Sequence, residues 1–186
     1  MRWNDHSNLT GQHAFLSPSK YHWTNYEPEK IDRAFIAFMA ARRGTALHAF
    51  AQDAIRLGIK LPKTPKTLNL YVNDAIGFRM DTEVTLHYSD NAFGTCDSIA
   101  FRRGKLRIHD LKTGLVTTSE RQLEVYAALF CLEYEVNPHS IEIELRIYQN
   151  DEVKIFDTDP DVIAYIMNKI VEFDKRINSI RLEAMS

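Results

Sequence analysis

Cysteine is nearly missing from this chain: Cys96 and Cys131 are the only two, and they form no C-x-x-C pair. That excludes a disulfide-stapled scaffold and a self-contained four-cysteine zinc or iron–sulfur site. No uninterrupted apolar stretch approaches the length needed to span a bilayer. Residues Met1 to Thr10 are polar and lack the apolar core of a signal peptide, so a reducing, cytoplasmic location without membrane contact is expected. An excess of one charge is also missing. The formal net charge is −2, and the only basic clusters are Arg42–Arg43 and the turn Arg102 to Lys105. Each of these reads equally as solvated surface. Nucleic-acid binding is neither required nor excluded, since it needs a local basic surface rather than a basic total.

What is present suits one ordinary soluble domain over residues 1–186: 45% of residues are hydrophobic and 26% charged. There is no internal repeat and no low-complexity tract. Pro28 suits a first helical turn, with apolar residues recurring through Ile31, Phe35, Phe38 and Met39. A second helix is predicted from about Arg42 to Leu57, closed by Gly58. Residues Leu61 to Lys66, with two prolines, read as a loop. Short β-like runs follow at Leu68 to Val72, Glu83 to Tyr88, Phe93 to Phe101 and Lys105 to Lys112. Thr117-Thr118-Ser119-Glu120 supplies a capping-box signal for a helix to about Glu135, with the stripe Leu123, Ala127, Phe130 and Tyr134. Ile141 to Tyr148 alternates as a half-buried strand, its polar side a candidate interface, DNA surface or solvent face. Asn150-Asp151 turns the chain into a further strand ending near Asp157. Asp159 then caps a last helix opened by Pro160. The expected fold class is α/β, a mixed central sheet flanked by helices.

The segment from Phe93 to Gly114 carries the chemistry. If Arg103-Gly104 is a two-residue turn, Arg102 faces Lys105, Ile99 faces Ile108, and Asp97 faces Asp110. Residues so opposed have Cβ atoms only about 4.5–5.5 Å apart, where like charges repel. Alternation puts Asp110 and Lys112 on one face with Leu106 and Ile108. Two carboxylates and an ammonium on an otherwise apolar face are costly unless paired or bound to a metal. A surface hairpin with an Asp–Lys ion pair is the simpler alternative; a divalent cation using both carboxylates is the other.

Four spacings stand out, two of them inside this segment: Gly44-Thr-Ala-Leu-His48, Gly94-Thr-Cys-Asp97, Asp110-Leu-Lys112-Thr-Gly114 and Gln122-Leu-Glu-Val-Tyr126. Leu16-Ser-Pro-Ser19 precedes them. In this order they resemble the PD-(D/E)xK nuclease superfamily, and within it the RecB-type exonuclease domains. The resemblance implies a restriction-endonuclease-like core and Mg²⁺ or Mn²⁺ as cofactor. It implies His48, Asp97, Asp110 and the backbone carbonyl of Leu111 as metal ligands, and Asp97, Asp110 and Lys112 as the catalytic set. Lys112 would orient the attacking water or stabilise transition-state charge. Gln122, Tyr126, Ser17, Ser19, Arg42 and Arg43 are assigned to substrate or the catalytic centre, and Glu83 to an additional ligand or a group behind the ligands.

Two cysteines cannot hold the iron–sulfur cluster of some relatives, so none is expected. The small size resembles the stand-alone recombination exonucleases of bacteriophages, which implies DNA as partner, in a bacterial or phage-infected cell. A homo-oligomer or a single-strand annealing partner is a further implication. The leading expectation is an exonuclease on linear DNA. A structure- or sequence-specific endonuclease and a catalytically silent DNA-binding or assembly module are the alternatives.

Overall fold

The computed structural model describes residues 14–16, 18–114 and 119–184, apart from the side chains of residues 19–21. The chain divides into two compact units, residues 1–43 and 44–186. In the first, a 3₁₀ segment over Pro18–Asn25 precedes the start of helix α1 (Pro28–Arg56). Phe15, Phe35 and Phe38 gather there, with ring centroids 5.1 to 6.2 Å apart.

Helix α1 is one continuous helix of 29 residues, not the two predicted. The residues at the expected break, Ala40 to Arg43, are strong helix formers, and one glycine costs only about 1 kcal/mol. The helix ends as its sequence requires. Gly58 adopts φ +67°, and the amides of Gly58 and Ile59 donate back to Ile55 and Ala54.

The run Leu68 to Val72 is a second correction: it lies in helix α2 (Thr67–Phe78), not a strand. Tyr71, Val72 and Ala75 bury one helical face, and a short apolar run does not distinguish that from a strand. Five strands follow: β1 (Asp81–Ser89), β2 (Ala92–Arg102), β3 (Lys105–Leu111), β4 (Glu142–Gln149) and β5 (Glu152–Asp157). They lie in the order β1-β2-β3-β4-β5, antiparallel except for the β3–β4 pair. A parallel pair needs a crossover, here α3 (Arg121–Glu133). Thr117 and Thr118 of the predicted capping box lie outside the described residues. Ser119 Oγ accepts the Arg121 amide at 3.0 Å, and Tyr134 falls beyond the helix, exposed. Helix α4 (Pro160–Ala184) opens as predicted, with Asp159 accepting the Asp161 amide at 2.9 Å.

The second unit is thus a mixed α/β arrangement, a five-stranded mixed sheet with helices on both faces. Leu106, Ile108, Ile143, Leu145 and Ile147 pack with Leu123 and Ala127 of α3 and Ile163 of α4. On the other face Ala100, Leu111 and Tyr148 pack with Ala51, Ala54 and Ile55 of α1 and with the buried face of α2. That second layer corrects the reading of β4 as half-buried. Glu144 is 8% and Tyr148 0% exposed. Among the described residues no helix is long and apolar enough to cross a membrane.

Candidate active site

The β2–β3 hairpin turns on Arg103 and Gly104, both at positive φ (53° and 74°), the conformation that a two-residue turn between twisted strands favours. Its ladder runs in the expected register from Arg102↔Lys105 through Ile99↔Ile108 to Ser98↔His109. The pairing stops one step short of Asp97 and Asp110. Beyond that step the carboxylate of Asp97 accepts the Leu111 amide at 2.8 Å.

Lys112 Nζ lies 3.0 and 2.9 Å from the two oxygens of Asp110 and donates to Gln122 Oε1 at 3.1 Å. Asp110 is 4% exposed, and its Oδ2, although close to the ammonium, receives no well-directed hydrogen bond. Burial and the charge of Asp97 hold the Asp110 carboxyl above its ordinary range, against the pull of Lys112.

His48 comes from α1. Its Nδ1 is 2.9 Å from the carbonyl of Gly44, and its Nε2 is 2.7 Å from the carbonyl of Leu111 and 3.3 Å from Asp97 Oδ2. All three partners are acceptors, so both ring nitrogens carry hydrogen and the ring is an imidazolium. The Asp97 hydrogen bond, against the opposing effect of burial, raises its pKa to about 9.

The two glycines that accompany these residues make room. A Cβ on Gly44 would lie 2.6 Å from Thr113 Oγ1, and one on Gly94 would lie 3.0 Å from Tyr126 Cε1. The bare backbone of β2 therefore lets the Tyr126 ring lie against it, and its hydroxyl donates to the Thr95 carbonyl at 2.6 Å. Gln122, one turn away, stands 3.5 Å from that hydroxyl. Sequence spacing linked Gln122 and Tyr126 to each other but not to these partners. The pair ties α3 to Lys112 and to β2.

Glu83 stands between the pairs Thr82↔Ser98 and Val84↔Cys96, across from Asp97, with φ +53°. Burial and the charge of Asp97 raise its pKa, while His48 opposes. Two carboxylates, Asp97 and Asp110, thus meet one imidazolium and one ammonium, and the charge of Glu83 is felt by the same group. Arg42 and Arg43 are exposed residues of the other compact unit, Arg42 lying 5.7 Å over the Phe38 ring. Ser17 and the side chain of Ser19 lie outside the described residues.

Among the described residues no three His, Cys, Asp or Glu side chains are gathered closely enough to hold a metal ion as they stand. Asp110 is turned to Lys112, and the Nε2–H of His48 lies between the Leu111 carbonyl and Asp97. That proton is the positive charge between two oxygens. An imidazole nitrogen, carboxylates and a backbone carbonyl suit a divalent cation of the Mg²⁺ or Mn²⁺ kind. Asp110 Oδ2, buried beside the Lys112 ammonium without a directed hydrogen bond, is a further oxygen next to them. Compared with protein-family models, with curated proteins and with solved structures, the chain finds no match.

Proposed function

We propose that the protein is a Mg²⁺- or Mn²⁺-dependent nuclease with a restriction-endonuclease-like PD-(D/E)xK core, acting as an exonuclease on linear DNA. One observation carries the reading: His48 Nε2 contacts both the Leu111 carbonyl and Asp97, with Asp110 on the adjoining strand and Lys112 just past its end. Unrelated surface ion pairs have no reason to gather a histidine, two aspartates and a carbonyl at one strand end.

In this reading His48, Asp97, Asp110 and the Leu111 carbonyl would hold the cation. Bound there, it would polarise the phosphate and lower the pKa of a water. His48 would be a ligand only as the neutral imidazole, its Nε2 proton released to solvent, while the Gly44 carbonyl holds Nδ1–H in place. Lys112 is steadied by Asp110 and Gln122, and offers its ammonium to the incoming water or to the charge that builds on phosphate oxygens. Tyr126, fixed to β2, braces Gln122.

The test is degradation of linear and covalently closed circular DNA with Mg²⁺, Mn²⁺ or EDTA, with Lys112→Ala alongside. Metal-dependent loss of linear DNA alone, reduced about 10²–10³-fold in the variant, is the expected result. Cutting of the circle would identify an endonuclease instead. No cutting of DNA, nor of an RNA control, would leave a silent binding module as the better account.

A further inference from the structure

One turn and two turns beyond His48, on the same face of α1, stand Gln52 and Arg56, about 6 and 12 Å along the axis. They line a cavity of about 450 Å³, together with Asp81, Thr82 and Glu83 of β1. Glu83 stands across from Asp97 in the β1–β2 ladder, and Gln52 lies one turn from His48, so the cavity opens beside the candidate active site. Among the described residues the side chains of Gln52, Arg56, Asp81 and Thr82 make no hydrogen bond or ion pair with protein. Arg56, Asp81 and Glu83 are exposed and Gln52 and Thr82 half-buried, so these donors and acceptors stand open to a polar ligand.

We propose that this cavity holds the base of the nucleotide adjoining the cut bond, with Arg56 on the phosphate beyond it; this rests on the nuclease reading above. The division of charge assigns the two parts. Asp81 and Glu83 would repel a phosphate, but with Thr82 they accept from a base amino group, as on cytosine or adenine. Gln52 both donates and accepts, and so can pair with a base edge. Arg56, exposed at the outer end, is the one cation on the wall and suits a phosphate oxygen. A strand that leaves the site along α1 therefore meets a base-reading wall first and a phosphate anchor next.

The experiment measures DNA binding as well as cutting. Affinity of a fluorescent duplex oligonucleotide is read by anisotropy on the full chain carrying Lys112→Ala, across a salt series. Arg56→Gln is expected to weaken binding about tenfold. It should also lower the slope of log affinity against log salt by about 0.9, the signature of one lost phosphate contact. Gln52→Ala is expected to weaken binding about fivefold with the slope unchanged. That loss should vanish when an abasic nucleotide replaces one of those flanking the cut bond. Thermal midpoints within about 2 °C of the parent exclude a fold defect. In the Lys112 background the same changes should raise KM and leave kcat within about twofold.

Unchanged affinity and slope in both variants would overturn the subsite while leaving Lys112-dependent cutting intact. Binding without cutting by the parent chain would overturn the nuclease reading, and the variant affinities would then decide only whether the cavity takes a nucleotide. A chain that binds no DNA overturns both.

Discussion

Two groups of charged side chains are drawn into the same sheet, and they end in opposite balance. Under α2, Arg146 pairs with Asp74 at 3.0 Å and with Glu144 at 2.9 Å. Glu144 also takes Arg107 at 3.2 Å and Lys105 at 2.9 Å. Tyr148 donates to Asp74, and the guanidinium groups of Arg107 and Arg146 lie 4.6 and 4.7 Å over the Phe78 ring. Every charge there has an opposite partner, and His109, driven by burial to about 3, stays neutral among them. At the end of β3 the carboxylates of Glu83, Asp97 and Asp110 outnumber the cations of His48 and Lys112. Burial of charge alone therefore does not set the candidate site apart; its excess of acceptors over cations does.

The largest expected effects set these groups against each other. Asp110→Asn should lower cutting by about three orders of magnitude, the several kcal/mol a polarising ion supplies. It should leave the thermal midpoint within a few degrees, because it relieves a carboxyl already disfavoured by burial and by Asp97. Arg146→Ala should do the reverse. Leaving Glu144 and Asp74 without their shared cation should cost about 3 kcal/mol in a denaturant melt, and the protein that remains folded should still cut. Should Arg146→Ala abolish cutting in folded protein while Asp110→Asn spares it, the two groups have been assigned the wrong way round.

A smaller effect tests whether the balanced group is a stability element. Burial by itself would raise the Glu144 carboxyl, but Lys105 and Arg146 together hold it below its ordinary range. A carboxylate whose folded pKa is depressed contributes stability above its unfolded pKa of about 4.3 and loses it as pH falls through the folded value. Glu144→Gln should therefore be less stable than the parent by about 1–2 kcal/mol at pH 7. Melts at descending pH should show the gap begin to narrow below about pH 4.3 and close as pH passes the depressed folded value. A gap that stays constant to pH 3 would show that the charge of Glu144 contributes nothing.

The site was more legible in the sequence than the layers around it, for physical reasons. A two-residue turn fixes a hairpin register, so Arg103-Gly104 was enough to bring Asp97 and Asp110 to the same end of the sheet. Gly58, Asp159 and Pro160 punctuate helices through their own backbone preferences, and those ends were read correctly. The run Leu68 to Val72 was misread because local periodicity cannot separate a short buried helix from a strand. The second face of β4 was misread because Glu144 and Arg146 look solvent-facing until α2 supplies Asp74 across the layer. Gln122 was placed near the centre, but its bond to Lys112 joins residues ten apart through a tertiary approach that no spacing encodes. Gln52 and Arg56 could have been found by extending the helical face of His48.

The left-handed conformation of Glu83 had no signal at all, and it supplies the subtlest test. A residue with a side chain at φ +53° inside a strand costs on the order of 1–3 kcal/mol. Glycine removes that strain, at a backbone-entropy cost of about 0.5–1 kcal/mol. Glu83→Gly also lifts the repulsion from Asp97. The net expectation is a protein more stable by about 0.5–1 kcal/mol that cuts about tenfold more slowly and binds Mn²⁺ more weakly. Glu83→Gln separates the contributions, since it keeps the strained backbone and removes only the charge. If the glutamine variant loses activity as the glycine variant does but gains less stability, the strained backbone is the destabilising feature and the carboxylate the reason it is kept. A glycine variant that melts below the parent would mean that Glu83 holds the β1–β2 edge together, and its closeness to the acidic site would then be incidental.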